Sequence, residues 1–115
     1  MMELKSFFTN TVLLKILSEG DSYAYEITEQ IKTLTNSAAT PITSTIYPAL
    51  YRLEEEGYIS SYKKKVGKRM ERVYYHIEEA GRQELELLTN VFNSIMNYRK
   101  DEDKNVDGNN IRRVK

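Results

Sequence analysis

The run Ser-Thr-Ile-Tyr-Pro-Ala-Leu-Tyr-Arg-Leu-Glu-Glu-Glu-Gly, residues 44–57, predicts an amphipathic helix that ends at a glycine. On a wheel of about 100° per residue its apolar side chains share one stripe, formed by Ile46, Ala49, Leu50 and Leu53. The opposite side carries hydroxyls and no acid in its first half. Pro48 lacks the N–H that a helix interior needs, which favours a start near Thr45, or one lost hydrogen bond if the helix begins at Thr43.

Two further helices are predicted before this run. Apolar residues recur at intervals of three and four over residues 4–18, and Gly20 is placed to end that helix. Asp21 and Ser22 are residue types that cap helices, so we expect them to begin a second helix that reaches about Leu34. The small polar residues 36–40 predict a loop.

Two strands and a fourth helix are predicted after it. The segments Tyr58–Lys64 and Met70–Ile77 are rich in Tyr, Val and Ile, and a loop containing Gly67 joins them. From Glu79 the apolar spacing is again helical, to about Lys100. Two strands alone would not be stable, so the hairpin must pack on the helices.

This order of elements predicts a fold that is mainly α, with a two-stranded β-hairpin wing. It is the order of a winged helix-turn-helix followed by a C-terminal dimerisation helix. We therefore expect a DNA-binding domain over residues 1–78, a dimerisation helix over 79–100 and a flexible charged tail over 101–115. The third helix is the expected reading helix.

Composition excludes several classes of protein. The 115 residues include no Cys and one His, which excludes a disulfide framework and a thiolate metal site. No apolar run approaches the ~20 residues of a membrane span, so we expect a cytoplasmic protein. The 17 basic and 17 acidic residues cancel in number but not in position. Residues 57–76 hold six of the bases and a single acid, and such a block favours binding to nucleic acid if it faces one way.

Three strings resemble the PadR family of transcriptional regulators. They are Ser-Tyr-Ala-Tyr-Glu-Ile from residue 22, Ser-Thr-Ile-Tyr-Pro-Ala-Leu-Tyr-Arg-Leu-Glu-Glu-Glu-Gly-Tyr-Ile from residue 44, and Tyr-Tyr-His-Ile-Glu-Glu-Ala-Gly from residue 74. The chain departs from the family's usual Tyr-Gly-Tyr at Ala24 and from its Leu-Thr-Glu at residues 77–79. The single C-terminal helix is similar to the short subgroup, and the resemblance implies a homodimeric repressor.

Two clusters are candidates for contact with double-stranded DNA. The outward face of the third helix supplies the first, namely Ser44, Thr45, Tyr47, Pro48 and Tyr51. The hairpin tip supplies the second, namely Lys63, Lys64, Lys65, Lys68 and Arg69. The alternatives are tyrosines that pack on a neighbour and lysines that protect a sheet edge. Arg52 lies on the rim of the helix, where contact with phosphate and pairing with Glu55 or Glu56 are equally compatible with its position.

The fourth helix is apolar on more than one side, which indicates a second packing partner. The residues expected at a homodimer seam are Leu85, Leu88, Val91, Phe92 and Ile95. A cleft between subunits lined by Phe7, Phe8 and Phe92 would accept a small hydrophobic or aromatic effector. The alternative for these rings is an ordinary core contact.

The sequence thus predicts a homodimeric regulator that binds a pseudo-palindromic operator, acts as a repressor and is released by such an effector. No cofactor, metal site or enzymatic arrangement is expected, because His76 has no Cys or spaced carboxylate to complete a site. The alternative is a winged-helix module that binds protein and not DNA, since a fold alone does not decide function.

Overall fold

A computed structural model describes residues 2–39 and 43–101 of the chain. Its elements, in chain order, are α1 (Leu4–Ser18), β1 (Ser22–Tyr23), α2 (Ala24–Leu34), α3 (Thr43–Glu55), β2 (Ile59–Val66), β3 (Met70–Ile77) and α4 (Glu79–Met96). The predicted mainly α fold with a hairpin wing is confirmed. Of the predicted tail, residues 102–115 lie outside the described residues.

The sheet has three strands, not the predicted two. Its order is β1-β3-β2, and all pairs are antiparallel. The third strand is the short β1, in which Ser22 and Tyr23 pair with Tyr75 and Tyr74 of β3. Asp21 and Ser22 therefore do not cap α2, which begins at Ala24 without a side-chain cap. Two-residue strands have no periodicity that a sequence can display, so pairing with β3 determines this element.

The α3 helix ends at Glu55, and the predicted glycine, Gly57, closes its C-terminus. The Tyr58 N–H donates to the Leu53 carbonyl at 3.0 Å and the Gly57 N–H donates to the Glu54 carbonyl at 3.0 Å. Gly57 has φ of +80°, a left-handed conformation in which a side chain would be strained. This closure turns the chain directly from α3 into β2. Since α3 begins at Thr43, Pro48 lies in the second turn and removes one backbone hydrogen bond.

The core lies where α1, α2 and α3 meet the base of the sheet. It includes the predicted stripe of α3, and its members are Phe7, Leu13, Leu14, Ile16, Leu17, Ala24, Ile27, Ile31, Ile46, Ala49, Leu50, Leu53, Ile59, Ile77 and Leu88. The α4 helix begins at Glu79 as expected but ends at Met96, short of the predicted Lys100. The core thus fixes one side of α3 and leaves the other side exposed.

Candidate nucleic-acid interface

The exposed side of α3 carries the residues predicted to read DNA, which we call the reading face. Ser44, Tyr47, Pro48 and Tyr51 are exposed, whereas Thr45 is half-buried. Tyr47 keeps 51 % of its surface exposed although it belongs to a helix whose neighbouring Ile46 is 2 % exposed. Large aromatic side chains held outward by a rigid helix are suited to contact with another molecule.

The hairpin positions its cations on both faces of the sheet. Successive side chains of a strand alternate between faces. Lys63 and Lys65 therefore share a face with Ser61, whose hydroxyl donates to Glu54 of α3 at 2.7 Å. Lys64 lies on the opposite face, with its Nζ 5.3 Å from the centre of the Tyr74 ring. Two of the predicted lysines thus lie on the α3 side of the sheet.

The turn of the hairpin holds the remaining predicted cations. Lys68 and Arg69 are exposed and follow Gly67, whose φ of +79° closes the turn. These residues are at the far end of a hairpin of eight-residue strands. The turn therefore presents two positive charges away from the core.

A polar cluster fastens the base of the hairpin to the segment before β1. The Tyr62 hydroxyl donates to Asp21 at 2.7 Å, and Nδ1 of His76 lies 2.9 Å from the other oxygen of that carboxylate. The Tyr62 hydrogen bond is the main reason that the pKa of Asp21 is lowered, with a smaller contribution from His76. The same hydrogen bond raises the pKa of Tyr62.

Aromatic packing stiffens the same face of the sheet. Tyr62 and Tyr74 stack with centres 5.7 Å apart, and Tyr23 meets Tyr74 edge-on at 5.4 Å. Arg72 lies over the Tyr23 ring, with its guanidinium carbon 4.3 Å from the ring centre. The sequence analysis missed these contacts because they join residues distant in sequence. Tyr and basic residues alternate on one face of the two paired strands, and this alternation is the signal that could have found them.

Arg52 is exposed on the side of α3 that faces the start of α1. In the part of the chain that the structure describes, its side chain forms no ion pair, so neither Glu55 nor Glu56 holds it. It lines a cleft of about 220 Å³ together with Lys5, Ser44 and Thr45. Glu3 lines the same cleft without forming an ion pair with Arg52, so Arg52 is positioned beside the reading face with one carboxylate nearby.

The residues predicted at the dimer seam divide between two environments. Leu88 is 6 % exposed and belongs to the core of its own subunit, and Leu85 is half-buried against that core. Their side chains point inward because the start of α4 lies across α1. The exposed apolar residues of α4 are Leu87, Val91, Phe92, Ile95 and Met96, with Tyr98 just after the helix.

The three phenylalanines predicted to line an effector cleft are also divided. Phe7 is 8 % exposed and is part of the core, which is the alternative that the sequence left open. Phe8 and Phe92 remain exposed. Phe7 and Phe8 meet edge-on with their centres 5.4 Å apart. Only Phe8 and Phe92 are therefore accessible to a ligand in a single subunit.

Comparison with known proteins defines the family. Residues 13–87 match the transcriptional regulator PadR-like family. The chain belongs to this family. PadR-like proteins are regulators of transcription and not enzymes. Within residues 2–39 and 43–101, no helix is long and apolar enough to cross a membrane, and no group of side chains there is suited to hold a metal ion.

Three known regulators of transcription show what the chain is similar to. It is similar to a transcriptional regulator from Clostridium thermocellum, with 34 % identity and a TM-score of 0.72 over 77 % of this chain and 86 % of that one. It is similar to Bacillus subtilis PadR in complex with operator DNA, with 25 % identity and a TM-score of 0.64 over 80 % of this chain and 49 % of that one. It is 40 % identical to the transcriptional regulator YqjI of Escherichia coli over 58 residues, which are 50 % of this chain and 28 % of YqjI.

Proposed function

We propose that this PadR-like protein is a cytoplasmic, homodimeric repressor that binds a pseudo-palindromic DNA operator. The observation that carries the proposal is the joint orientation of two elements. The Ser61–Glu54 hydrogen bond ties the hairpin to α3, so the reading face and the α3-side lysines of the wing belong to one surface. Bacillus subtilis PadR, to which this chain is similar, forms a complex with operator DNA, and this supports DNA as the partner.

The reading face supplies sequence recognition in this proposal. The α3 helix enters the major groove with Ser44, Thr45 and Tyr47 near base edges, and Pro48 and Tyr51 lie against the groove wall. The wing lies along the adjacent backbone, where its cations neutralise phosphates. These cations are Lys63, Lys64, Lys65, Lys68 and Arg69. Arg52 adds a phosphate contact at the other border of the reading face.

The dimer forms through α4 in this proposal. Leu87, Val91 and Ile95 follow one another at intervals of four and so form a single exposed row on the helix. Phe92 lies beside this row, and Leu85 and Leu88 support it from the core side. A second copy of the chain would bury the same row by two-fold symmetry.

A small hydrophobic or aromatic effector regulates the dimer by binding between the subunits. Phe8 and Phe92 would line this cleft, and Phe7 would back it from the core. A ligand that fits only one spacing of the two reading helices changes operator affinity by population shift. The probe is 1-anilinonaphthalene-8-sulfonate, and we expect saturable binding that weakens with Phe8→Ser and lowers operator affinity. Unchanged operator affinity at saturation would remove the effector from the proposal.

The division of labour between wing and reading face is tested with two sets of variants. Replacing Lys63 and Lys65, the two lysines on the α3 side of the wing, by Ala should weaken binding to operator and scrambled duplex alike, and should reduce the log–log salt slope by about 0.9 per lost phosphate contact. Replacing Tyr47 by Ala should reduce the preference for operator by ~1–3 kcal/mol if a base contact is lost. The measurement is titration of both duplexes at several salt concentrations.

Two results would contradict the assignment. A wing variant that alters only sequence preference, together with a Tyr47 variant that alters only the salt slope, would reverse the roles. If neither variant changes DNA affinity, the winged-helix domain binds a protein partner instead. Asn90→Ala on the exposed side of α4 is the control and should leave both quantities unchanged.

A further inference from the structure

A cleft of about 570 Å³ lies between the last turns of α1 and the outer side of α2. Ile16 of α1 and Leu34 of α2 line it, together with residues 19–22, which join α1 to β1. Its volume is within the ~300–1,000 Å³ that is typical of small-molecule sites. Among the described residues, none from α4 or from the reading face lines it. The cleft is therefore formed within one subunit, apart from the surfaces proposed for DNA and for the dimer.

Ser22 contributes a buried hydroxyl to this cleft. It is 3 % exposed and lines the cleft, and in the described part of the chain its hydroxyl has no hydrogen-bond partner. Asp21 and Tyr23, on either side of it, point to the sheet face that carries Tyr74. Because side chains alternate along a strand, Ser22 points to the opposite face, with Tyr75, where the helices pack. A buried hydroxyl without a partner is costly, and a ligand in the cleft would supply one.

Two polar side chains of α2 line the same cleft. Glu26 and Gln30 are four residues apart, so they lie on one side of the helix. Both are half-buried, and no hydrogen bond or ion pair within the described residues involves either side chain. With Ser22 they make three unpartnered polar groups beside the apolar side chains of Ile16 and Leu34. An apolar cleft with a few polar groups is the usual composition of a ligand site.

The charges of the cleft favour a cation. Glu19 is already paired with Lys15 at 3.0 Å, and Glu29 is paired with Lys32 at 3.2 Å. Glu26, in the first turn of α2, has no such counter-charge. A half-buried carboxylate attracts an ammonium group and repels an anion, and its hydrogen bonds to a charged donor are the stronger kind.

We propose that this cleft binds an organic cation that carries an apolar body. The ammonium group pairs with Glu26 and donates to the hydroxyl of Ser22, both of which lie at the start of α2. The apolar body packs on Ile16 and covers Leu34, which is otherwise 69 % exposed. Gln30, one turn further along α2, is available to a polar group of the body. This site differs in place and in ligand charge from the effector cleft proposed between subunits.

The probe for the test is 4-phenylbutylamine, and 4-phenylbutan-1-ol is its neutral counterpart of similar length and shape. Nuclear magnetic resonance of the nitrogen-15-labelled full chain locates each probe from the backbone amides that shift, and titration gives its Kd. We expect saturable shifts within residues 15–34 for the amine. The alcohol should bind the same residues about tenfold more weakly, because it lacks the charge that pairs with Glu26.

Three variants separate the parts of the site. Glu26→Gln should weaken the amine about tenfold and leave the alcohol unchanged. Ser22→Ala should also weaken the amine, without reducing the free energy of unfolding, because the hydroxyl has no partner in the folded chain. Leu34→Ser should weaken both probes by a similar factor, because both have the same apolar body.

The matched control is Glu86→Gln. Glu86 is an exposed carboxylate of α4 that lines a different cleft, so its removal should leave both Kd values unchanged. Equal affinities for amine and alcohol, or an amine affinity that Glu26→Gln does not change, would refute the cation site. Shifts confined to the surroundings of Phe8 and Phe92 would also refute it, since they would place the probe in the effector cleft. Operator titration without the probe is independent of these results, so the proposed function stands or fails separately.

Discussion

Asp21 illustrates how one side chain can join segments that are distant in the chain. Its carboxylate accepts from Tyr62 in β2 and contacts His76 in β3, across 41 and 55 residues of sequence. The residue type fits a helix cap, and the local sequence alone favours that role. In the fold, the carboxylate instead contacts two side chains, Tyr62 and His76, where a helix cap would give it one backbone N–H. Ser22 and Tyr23 also pair with β3, so no helix begins directly after Asp21.

The Asp21 cluster predicts a pH dependence of stability. Because the pKa of Asp21 is lowered below its ordinary 3.8 in the folded chain, its contribution is fully present above about pH 4 and is lost as the pH falls through the folded value. Asp21→Asn should therefore reduce the free energy of unfolding at pH 7, and the difference from the unmodified protein should shrink towards pH 2. Urea titrations at a series of pH values measure it. A difference that is constant with pH would contradict the role of the carboxylate charge.

Gly81 is a second residue whose role depends on a close approach. A Cβ built on it would clash with the backbone carbonyl oxygen of Tyr58 and would lie 2.8 Å from a side-chain carbon of Ile77. The same carbonyl accepts from the Glu78 N–H at 2.9 Å, so it is held in place. The start of α4 can thus lie directly on the start of β2 only without a side chain.

Gly81→Ala should destabilise the fold in spite of the better helix propensity of Ala. We expect a loss of ~1–3 kcal/mol, as for overpacking of a rigid site. The measurement is thermal or urea unfolding, with Ala80→Gly as the control that changes propensity at a neighbouring exposed position. A Gly81→Ala variant as stable as the unmodified protein would show that α4 can move away from β2 at no cost.

At the scale of elements, α3 and the hairpin are the parts that the sequence predicts best. The stripe from Ile46 to Leu53 has a helical period, and the run of β-branched and aromatic residues on either side of Gly67 predicts a hairpin without tertiary information. The structure adds strand β1. It also shows that Lys64 lies on one face of the sheet and Lys63 and Lys65 on the other. A cluster of charges in the sequence does not show this separation, since it depends on the strand register.

The α4 helix is an element whose packing the sequence does not predict. Its apolar residues satisfy two helical rows at once, and spacing alone does not show which row faces the core. The structure assigns Leu85 and Leu88 to the core because α4 crosses α1 at its start, and leaves Leu87, Val91 and Ile95 exposed. The burial of Phe7 likewise depends on tertiary packing, because its position on α1 faces the core.

At the scale of the whole molecule, the exposed row of α4 predicts assembly. Phe92→Asp should place a charge in the proposed seam and release monomers, because an unpaired buried charge is very costly. Sedimentation velocity of the full chain measures this, and Asn90→Asp adds the same charge to an exposed position of α4 as the control. Dimers that persist in Phe92→Asp would remove α4 from the seam.

The central claim is that two reading faces act together on one duplex. Its most direct test is selection of bound sequences from a pool of randomised duplexes about 40 base pairs long, which is enough for two half-sites one helical turn apart. The selected duplex is then titrated with the full chain to determine stoichiometry. We predict a pseudo-palindrome with half-sites ~34–36 Å apart that binds two chains. A selection without sequence enrichment, or an asymmetric site bound by one chain, would contradict the account.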